Sequence, residues 1–504
     1  MTDRLAITLQ PLGTTIEVER GTALRTVLHA YGVEFPCGGR GRCAGCRVKQ
    51  TGGSLGVTGD QADILTREEI AQGWRLACRC TVENNVTLEV GQWDTVILAD
   101  HSGFGFTPRP GVGIAVDLGT TTLVAQLLDL ESGHVLAVRA AVNPQTIHGS
   151  DVMSRIHLAT EGGRQTQLVA ELRQEIGALL ETLVAAVRPQ VSHIDTVVIV
   201  GNTVMHHLFC GIDLTSLSRS PFESIDDGPC LLRATGLGWA LGGNPTVRFL
   251  PCLGGFVGSD VLAGILATKT HESETPVVLV DLGTNGEIVI GNRERMLCAS
   301  TAAGPAFEGG RIAMGMRAIT GAISEVTIEE GRLRCRVVGD APARGICGSG
   351  LVDAVAAGLD LGLIQPSGRL THPGRPIELA PPVVLTQSDI RQLQLAKAAI
   401  AAGLGILRRR FGRDACEAAP VYLAGAFGNY VNRTSARRIG LLDVPAELVQ
   451  PAGNTALLGA KIALFANDNG DDDFRDIRKR IEHVSLAADP EFQETYVGAT
   501  TFPE

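Results

Sequence analysis

Apolar and polar residues alternate from Leu5 to Glu19 on both sides of a turn at 12–14, and this period of two predicts a β-hairpin. Thr22 then opens a stretch with helical spacing that ends before Gly32, which predicts a helix. Further strands are predicted over residues 47–50 and 86–90. Two strands followed by a helix begin a β-grasp domain, which we expect to span residues 1–99. The predicted helix has its apolar face at Leu24, Val27, Leu28 and Tyr31.

The rest of the chain contains one apolar strand-turn-strand pattern twice. Residues 112–128 and 276–290 each consist of an apolar strand, an Asp-Leu-Gly-Thr turn and a second strand. Residues 100–111, ahead of the first copy, have no periodicity and contain two prolines, which predicts a linker. We therefore expect two related lobes over residues 112–272 and 273–504.

Composition agrees with a multidomain α/β protein. A chain of 504 residues is too long for one ordinary domain, and 44% hydrophobic residues with 61 glycines fit many strand-to-helix turns. A net charge of −10 argues against nucleic-acid or anionic-membrane partners. We also see neither a signal peptide nor an uninterrupted apolar span, so we expect a cytoplasmic protein without membrane contact.

Several of the 12 cysteines gather before residue 81, which favours metal ligation over disulfides. Cys37, Cys43 and Cys46 lie in one glycine-rich loop, with five and then two residues between them. A [2Fe-2S] cluster takes four thiolates, three of them from one tight loop. Glycines let backbone amides approach the bridging sulfides. The sequence therefore predicts a [2Fe-2S] cluster on these cysteines and one more.

The fourth ligand has two candidates, Cys78 and Cys80. The Arg-Leu-Ala-Cys string that ends at Cys78 resembles the fourth-ligand segment of ferredoxins, and this resemblance implies Cys78. A CxxC pair such as Cys43 and Cys46 also binds Zn²⁺, so a zinc site is the alternative. The glycine-rich loop within a β-grasp pattern favours the iron cluster.

The two Asp-Leu-Gly-Thr turns predict a phosphate-binding cleft. Each turn follows an apolar strand and places backbone amides and hydroxyls where phosphate oxygens can be held. Each aspartate stands at a strand end, where it can orient the water shell of Mg²⁺. The chain contains no GxxxxGK[ST] motif, which excludes a P-loop. The predicted binding residues are Asp117, Gly119, Thr120, Thr121, Asp281, Gly283, Thr284 and Asn285.

Duplicated hairpins of this kind resemble the actin-like ATPase superfamily (ASKHA, ribonuclease H-like), which includes acetate and sugar kinases. The resemblance implies ATP and Mg²⁺ between the two lobes. Residues 420–428 resemble the adenosine-binding segment, which implies that Gly425 and Gly428 make room for the base. Glycine-rich segments 302–310 and 345–350 either line the cleft or are only tight turns. The sequence does not identify the catalytic residue, for which the candidates are Asp117, Asp281, Glu287 and Glu308.

A [2Fe-2S] domain fused to a duplicated actin-like ATPase resembles the reductive activators of corrinoid proteins. The likeness continues through residues 200–209 and reaches 483–484 and 489–492. It implies ATP-dependent, one-electron reduction of cob(II)alamin to cob(I)alamin in a corrinoid protein of a methyltransferase system. It also implies an electron donor, such as a ferredoxin, a flavodoxin or a reductase. The identity of the partner and the oligomeric state, a homodimer included, stay open.

Two other functions stay open. A nucleotide-gated iron-sulfur redox sensor would bind its partner without reducing it. An activator of a radical dehydratase-type enzyme would share the ATPase fold, but such activators hold a [4Fe-4S] cluster between subunits and lack a fused ferredoxin. His206 and His207 are left out of the site, because lone histidines are more often packed in a core than used as ligands.

Overall fold

The computed structural model describes residues 4–10, 14–28, 33, 46–62, 64–65, 67–89, 104–148, 151–187, 191–283, 285–466 and 471–504. These residues form a small β-grasp domain followed by two larger α/β lobes, each built on a six-stranded sheet. The predicted fold class is confirmed. Within these ranges, none of the helices combines the length and the apolar character needed to cross a bilayer.

The N-terminal domain is a five-stranded sheet with the order β2-β1-β7-β4-β5, in which the first and last long strands run parallel. Alternate side chains of β1, among them Ile7 and Leu9, are fully buried in its core. The elements are β1 (Arg4–Gln10), β2 (Thr14–Glu19), β3 (Thr22–Ala23), α1 (Leu24–Leu28), β4 (Arg47–Gly52), α2 (Gly59–Ala62), α3 (Arg67–Ala71), β5 (Trp74–Leu76), β6 (Thr81–Val82) and β7 (Val86–Glu89).

The predicted hairpin is confirmed, with Ile7 opposite Ile16. The predicted start of the first helix at Thr22 is wrong. Thr22 instead pairs with Val82 in the short β3–β6 ladder, and the helix begins at Leu24. Local spacing could not reveal this pairing, because the partner strand lies sixty residues further along the chain.

The first lobe has the sheet order β10-β9-β8-β11-β13-β12. Strand β8 pairs antiparallel with β9 and parallel with β11, as in a ribonuclease H-like unit. The elements are β8 (Val112–Leu118), β9 (Thr122–Asp129), β10 (Val135–Val142), α4 (Val152–Thr160), α5 (Gln165–Ala185), β11 (Thr196–Gly201), α6 (Thr203–Cys210), β12 (Cys230–Arg233), β13 (Thr246–Phe249) and α7 (Ser259–Thr268).

The second lobe has the order β23-β22-β14-β15-β16-β24, with β14 again antiparallel to its hairpin partner and parallel to β22. Five strands repeat the order of the first lobe, and the sixth, β24, lies at the opposite edge from β12. The predicted duplication is thereby confirmed at the level of strand order. The elements are β14 (Val277–Leu282), β15 (Gly286–Gly291), β16 (Met296–Thr301), β17 (Ala322–Glu329), β18 (Arg332–Val337), β19 (Gly345–Ile346), α8 (Gly348–Asp360), β20 (Ile377–Glu378), β21 (Val384–Leu385), α9 (Gln387–Phe411), β22 (Val421–Ala424), α10 (Gly425–Tyr430), α11 (Arg433–Arg438), β23 (Val449–Gly453), α12 (Thr455–Phe465), α13 (Asp471–Arg480), β24 (Ile481–His483) and α14 (Phe492–Ala499).

Helices α7 and α12 occupy equivalent positions in the two halves and pack against each other in a shared apolar core with both sheets. Their backbones approach closely at Gly459, where a Cβ atom would lie 2.1 Å from the Ala263 carbonyl oxygen. Glycine is therefore required at this crossing. Because each helix follows the last parallel strand of its sheet, the crossing sets where the two strand ends face each other.

The described part of the predicted linker is packed rather than free. The rings of Phe104 and Phe106 lie 5.3 and 4.4 Å from the ring of Phe465, at the end of α12. Arg109 donates a hydrogen bond of 2.5 Å to the carbonyl oxygen of Leu464. Residues 104–111 are therefore held against the second lobe.

Candidate functional site

A cavity of about 400 Å³ opens between the two lobes, at the ends of the strands that carry the duplicated turns. Both predicted phosphate hairpins face it. Thr284 lies outside the described residues. The predicted residues that line the cavity are Asp117, Gly119, Thr120, Thr121, Asp281, Gly283, Asn285, Glu287, Glu308 and Gly425.

The first hairpin closes through a 3.1 Å hydrogen bond from the Gly119 amide to the Thr122 carbonyl oxygen. Asn143 stabilises the same hairpin by donating from Nδ2 to the Gly119 carbonyl oxygen at 2.9 Å. The fully buried Arg155 donates to the Thr120 carbonyl oxygen. These contacts hold the hairpin backbone in place, so its free amides are presented to the cavity without further ordering.

Two asparagines join the hairpin of the first lobe to the helices that follow the parallel strands. Asn202 caps α6 by accepting from the Met205 amide at 3.0 Å, and its Nδ2 donates to Thr120 Oγ1 at 2.9 Å. Asn454 caps α12 and donates from Nδ2 to Asp117 Oδ2 at 2.9 Å. Both side chains therefore connect a helix start to a residue that lines the cavity.

Four carboxylates are crowded in the cavity wall. Burial, together with the nearby Asp117 carboxylate, raises the pKa of Asp281 to about 7. Burial raises the pKa of Asp117 to about 6, although the Asn454 hydrogen bond opposes the rise. Burial and the charge of Asp281 raise the pKa of Asp260 to about 7, and the pKa of Glu287 also lies well above its usual range. Such a cluster binds protons or a cation more readily than isolated carboxylates do.

Gly425 and Gly428 have different surroundings. Gly425 has φ +83°, and a Cβ atom there would lie 2.8 Å from Asp281 Oδ1, so the site needs glycine. Gly428 is not among the residues that line the cavity. A Cβ atom at Gly428 would lie 3.2 Å from the Leu423 Cβ, so this glycine lets α10 pack on β22.

Both glycine-rich segments reach the cavity, which decides between the two interpretations of the sequence. The 302–310 segment contributes Phe307 and Glu308. The 345–350 segment contributes Cys347, Gly348 and Ser349 at the start of the long helix α8, where unpaired amides favour an anion. Phe307 also stacks on Phe427, with ring centroids 4.5 Å apart, and gives this side of the cavity an apolar wall.

The structure describes only part of the predicted cluster site, because Cys37 and Cys43 lie outside the described residues. The Ala77 amide donates to the Cys46 carbonyl oxygen at 2.9 Å, so Cys46 and the segment that carries Cys78 are adjacent. Cys78 lies in a short 3₁₀ helix and is half-buried. Cys80 is buried, its sulfur lies 3.7 Å from Gln61 Nε2, and burial raises its pKa to about 11. A thiolate is therefore disfavoured at Cys80.

Comparison with known proteins accounts for nearly the whole chain. Residues 7–83 match the model of the 2Fe-2S iron-sulfur cluster binding domain, residues 112–273 match the RACo middle region, and residues 275–504 match the C-terminal domain of RACo, the ASKHA domain. The corrinoid activation enzyme RamQ of Eubacterium limosum is 35% identical over 81% of this chain and 74% of its own. The chain belongs to the reductive activators of corrinoid proteins.

Two further members of the family support this assignment. The [Co(II) methylated amine-specific corrinoid protein] reductase of Methanosarcina barkeri is 27% identical over 76% of both chains. The solved structure of a reductive activator for corrinoid,iron-sulfur protein superposes over 99% of this chain and 98% of its own, with a TM-score of 0.70 and 26% identity. This reductive activator of corrinoid proteins thus combines an iron-sulfur binding domain with an ASKHA nucleotide-binding fold.

The unpredicted polar residues of the cavity include one aspartate and two asparagines. Asp260 lies in the first turn of α7, and Asn202 and Asn454 each precede a helix. The asparagines carry a usable signal, since an asparagine between an apolar strand and an apolar helix is a typical N-cap. Asp260 carries none, because it enters the cavity only through the packing of α7 between the lobes.

Proposed function

We propose that this protein uses ATP to drive the one-electron reduction of a corrinoid protein from the cob(II)alamin to the cob(I)alamin state. The observation that carries the proposal is the union, in one chain, of an iron-sulfur binding domain with a cleft lined by two phosphate hairpins. The activities named for the relatives support the corrinoid partner. The corrinoid protein would serve a methyltransferase system and would be the substrate.

Cys37, Cys43, Cys46 and Cys78 would hold the [2Fe-2S] cluster. The donor set fits, because the family match covers residues 7–83 and four thiolates are the usual ligands of such a cluster. The adjacency of Cys46 to Ala77 supports Cys78 as the fourth ligand. The burial of Cys80 and its contact with Gln61 Nε2 argue for leaving Cys80 out. When bound, the cluster would supply single electrons.

The cleft residues would bind ATP with its phosphates between the two hairpins. Backbone amides of the hairpins and the start of α8 would hold the phosphate oxygens. Asp117 and Asp281 would orient the hydrated Mg²⁺, whose charge would offset the cost of burying their negative charges, which raises their pKa values. Glu287 and Glu308 line the same cavity and are the candidates for orienting the attacking water. The stacked Phe307 and Phe427 would contact the base.

ATP is needed because the electron transfer is uphill by itself. A plant-type cluster has a potential of about −400 mV, and each 59 mV changes a one-electron equilibrium about tenfold. Cobalt(I) in a corrinoid requires a more reducing donor still. Nucleotide binding and hydrolysis would shift the two lobes and favour a complex in which the partner's cobalt loses its lower ligand and accepts the electron.

The physiological setting is part of the same proposal. A ferredoxin, a flavodoxin or a reductase would supply the electrons, and the protein would work in the cytoplasm. The negative net charge gives no support to a nucleic-acid partner.

The test is an anaerobic assay against a panel of purified corrinoid proteins held in the Co(II) state. With reductant, ATP and Mg²⁺, we expect the cob(II)alamin absorbance of the cognate protein to convert to that of cob(I)alamin. Omission of ATP should abolish repeated turnover. Nucleotide-dependent binding without any reduction would instead identify a redox sensor, and full turnover with a non-hydrolysable analogue would refute an obligatory hydrolysis step.

A further inference from the structure

The iron-sulfur domain and the second lobe meet at a shared carboxylate. Glu69 of α3 accepts a hydrogen bond from Arg344 Nη2 of the second lobe, and another from Arg47 Nη2 of its own domain at 2.8 Å. The side chains of Glu69, Arg47 and Arg344 are only 5%, 8% and 10% exposed. Removing one partner from a buried ion pair costs far more than removing one from a surface pair. This contact can therefore hold the two domains together.

On one side, the contact is fixed to the framework of the cluster site. Arg47 follows Cys46 directly and pairs with Leu76 across the β4–β5 ladder. Its guanidinium lies 4.3 Å from the centre of the Trp74 ring. The next residue after Leu76 is Ala77, whose amide binds the Cys46 carbonyl oxygen. A shift of Glu69 would therefore displace the segments that carry Cys46 and Cys78.

On the other side, the contact is fixed to the nucleotide cleft. Arg344 immediately precedes β19, and only two residues separate it from Cys347 at the cavity wall. Ile346 of β19 exchanges backbone hydrogen bonds with Met314 and Met316, of 2.9 and 3.0 Å. Met316 also lines the cavity. A ligand that displaces this wall would therefore displace Arg344.

The docked contact also carries a cost. In both arginines, Nε and Nη1 are buried without a hydrogen-bond partner among the residues that the structure describes. The two guanidinium charges also stand close enough to repel each other. Unpaired buried donors and like charges oppose docking. The contact is therefore suited to form and break rather than to hold permanently.

We propose that Glu69 and Arg344 are positioning residues that dock the iron-sulfur domain on the second lobe, and that nucleotide in the cleft alters this docking through residues 344–349. The docking itself follows from the contact alone. Its nucleotide dependence rests on the proposed function. The consequence for the reaction is that the occupied and empty clefts would present the electron-carrying domain differently to a partner.

Hydrogen–deuterium exchange of the full chain tests the docking. In Arg344→Ala we expect the amides of residues 67–76, across the interface, to exchange about tenfold faster, as befits the loss of a buried ion-pair partner. Arg344→Lys should restore part of the protection, and Glu69→Gln should accelerate exchange over residues 344–349. The control is Arg336→Ala, whose side chain is 77% exposed on the same lobe. Unchanged exchange at residues 67–76 in Arg344→Ala, or an equal change in the control, would overturn the docking.

The nucleotide dependence has a separate test. Binding of a non-hydrolysable ATP analogue to the wild-type chain should change the exchange at residues 67–76. Arg344→Ala should in turn change the affinity for the analogue, because coupling between the cleft and the docking contact is reciprocal. If the analogue binds and residues 67–76 do not respond, the coupling is refuted while the ATP site stands. If the analogue does not bind at all, the proposed function fails while the docking result stands.

Discussion

Asn454 and Asp117 are joined by a 2.9 Å hydrogen bond from the amide Nδ2 to the carboxylate Oδ2. The bond connects the start of α12, after the last parallel strand of the second lobe, to the β8–β9 hairpin of the first. The same asparagine caps α12 by accepting from the Leu457 amide at 2.8 Å. One side chain thus serves both the stability of a helix at the lobe interface and the electrostatics of the cleft.

Substitutions at Asn454 should separate these two roles. Asn454→Ala removes the cap and should lower the free energy of unfolding by about 1 kcal/mol. It should also raise the pKa of Asp117 and weaken MgATP binding, since the carboxylate loses its hydrogen-bond donor. Asn454→Ser keeps a capping oxygen and should retain most of the stability, but its side chain is too short to reach Asp117. Urea unfolding and calorimetric ATP titration measure the two effects, and equal ATP affinity in all three proteins would contradict the assignment.

The crowded carboxylates predict a pH-dependent stability for the nucleotide-free protein. The pKa values of Asp117, Asp260 and Asp281 are raised to about 6, 7 and 7 in the folded chain. The folded chain therefore binds protons more tightly than the unfolded chain. The resulting stabilisation is complete below about pH 4 and is lost as the pH rises through about 7, at roughly 1.4 kcal/mol per unit of pKa difference.

Asp260→Asn provides the control for this prediction. The variant should unfold at higher urea concentration than the wild type at pH 8 and at a similar concentration at pH 4, because only the ionised carboxylate is repelled by Asp281. MgATP should reduce the pH dependence of the wild type, since a cation favours the ionised carboxylates. An equal rise in stability between pH 5 and pH 7 in the wild type and in Asp260→Asn would contradict the burial of charge at this site.

Glycine substitutions should distinguish the cleft from its surroundings. Gly425→Ala places a Cβ atom against Asp281 and should weaken ATP binding at least about tenfold, or 1.4 kcal/mol. Gly453→Ala is the matched control, because Gly453 also has a positive φ, +69°, but nothing lies within 4 Å of its added Cβ. Gly428→Ala should affect packing on Leu423 more than ATP binding. Calorimetric titration with ATP measures the affinity of each variant. Equal losses of ATP affinity in all three variants would refute a specific role for Gly425.

The sequence predicted the parts of this structure that depend on neighbouring residues. The turns at Asp117 and Asp281 were recognised because each is set by a local Gly-Thr sequence after an apolar strand. Asp260 was missed because its place in the cleft depends on α7 crossing α12, which no local pattern encodes. The surroundings of Gly428 also depend on tertiary structure. A glycine in a motif indicates that another group packs closely against the backbone. Which group this is, here Leu423, depends on the tertiary structure.

The fourth cluster ligand should be decided by a pair of serine substitutions. Cys80→Ser should retain the visible absorption of the [2Fe-2S] cluster and its iron and sulfide content, because the Cys80 side chain is buried against Gln61. Cys78→Ser should lose or shift that spectrum. The reverse pattern would make Cys80 the ligand. A colourless wild-type protein with zinc but no sulfide would remove the cluster altogether.

A single-turnover experiment followed by electron paramagnetic resonance tests the central claim most directly. The protein, with its cluster reduced and excess reductant removed, is mixed anaerobically with a cob(II)alamin-loaded corrinoid protein and frozen at intervals, with and without MgATP. We predict that the reduced-cluster and cob(II)alamin signals disappear together, one for one, only when MgATP is present. Loss of both signals at the same rate without nucleotide, or persistence of the cob(II)alamin signal while ATP is hydrolysed, would contradict the proposed coupling.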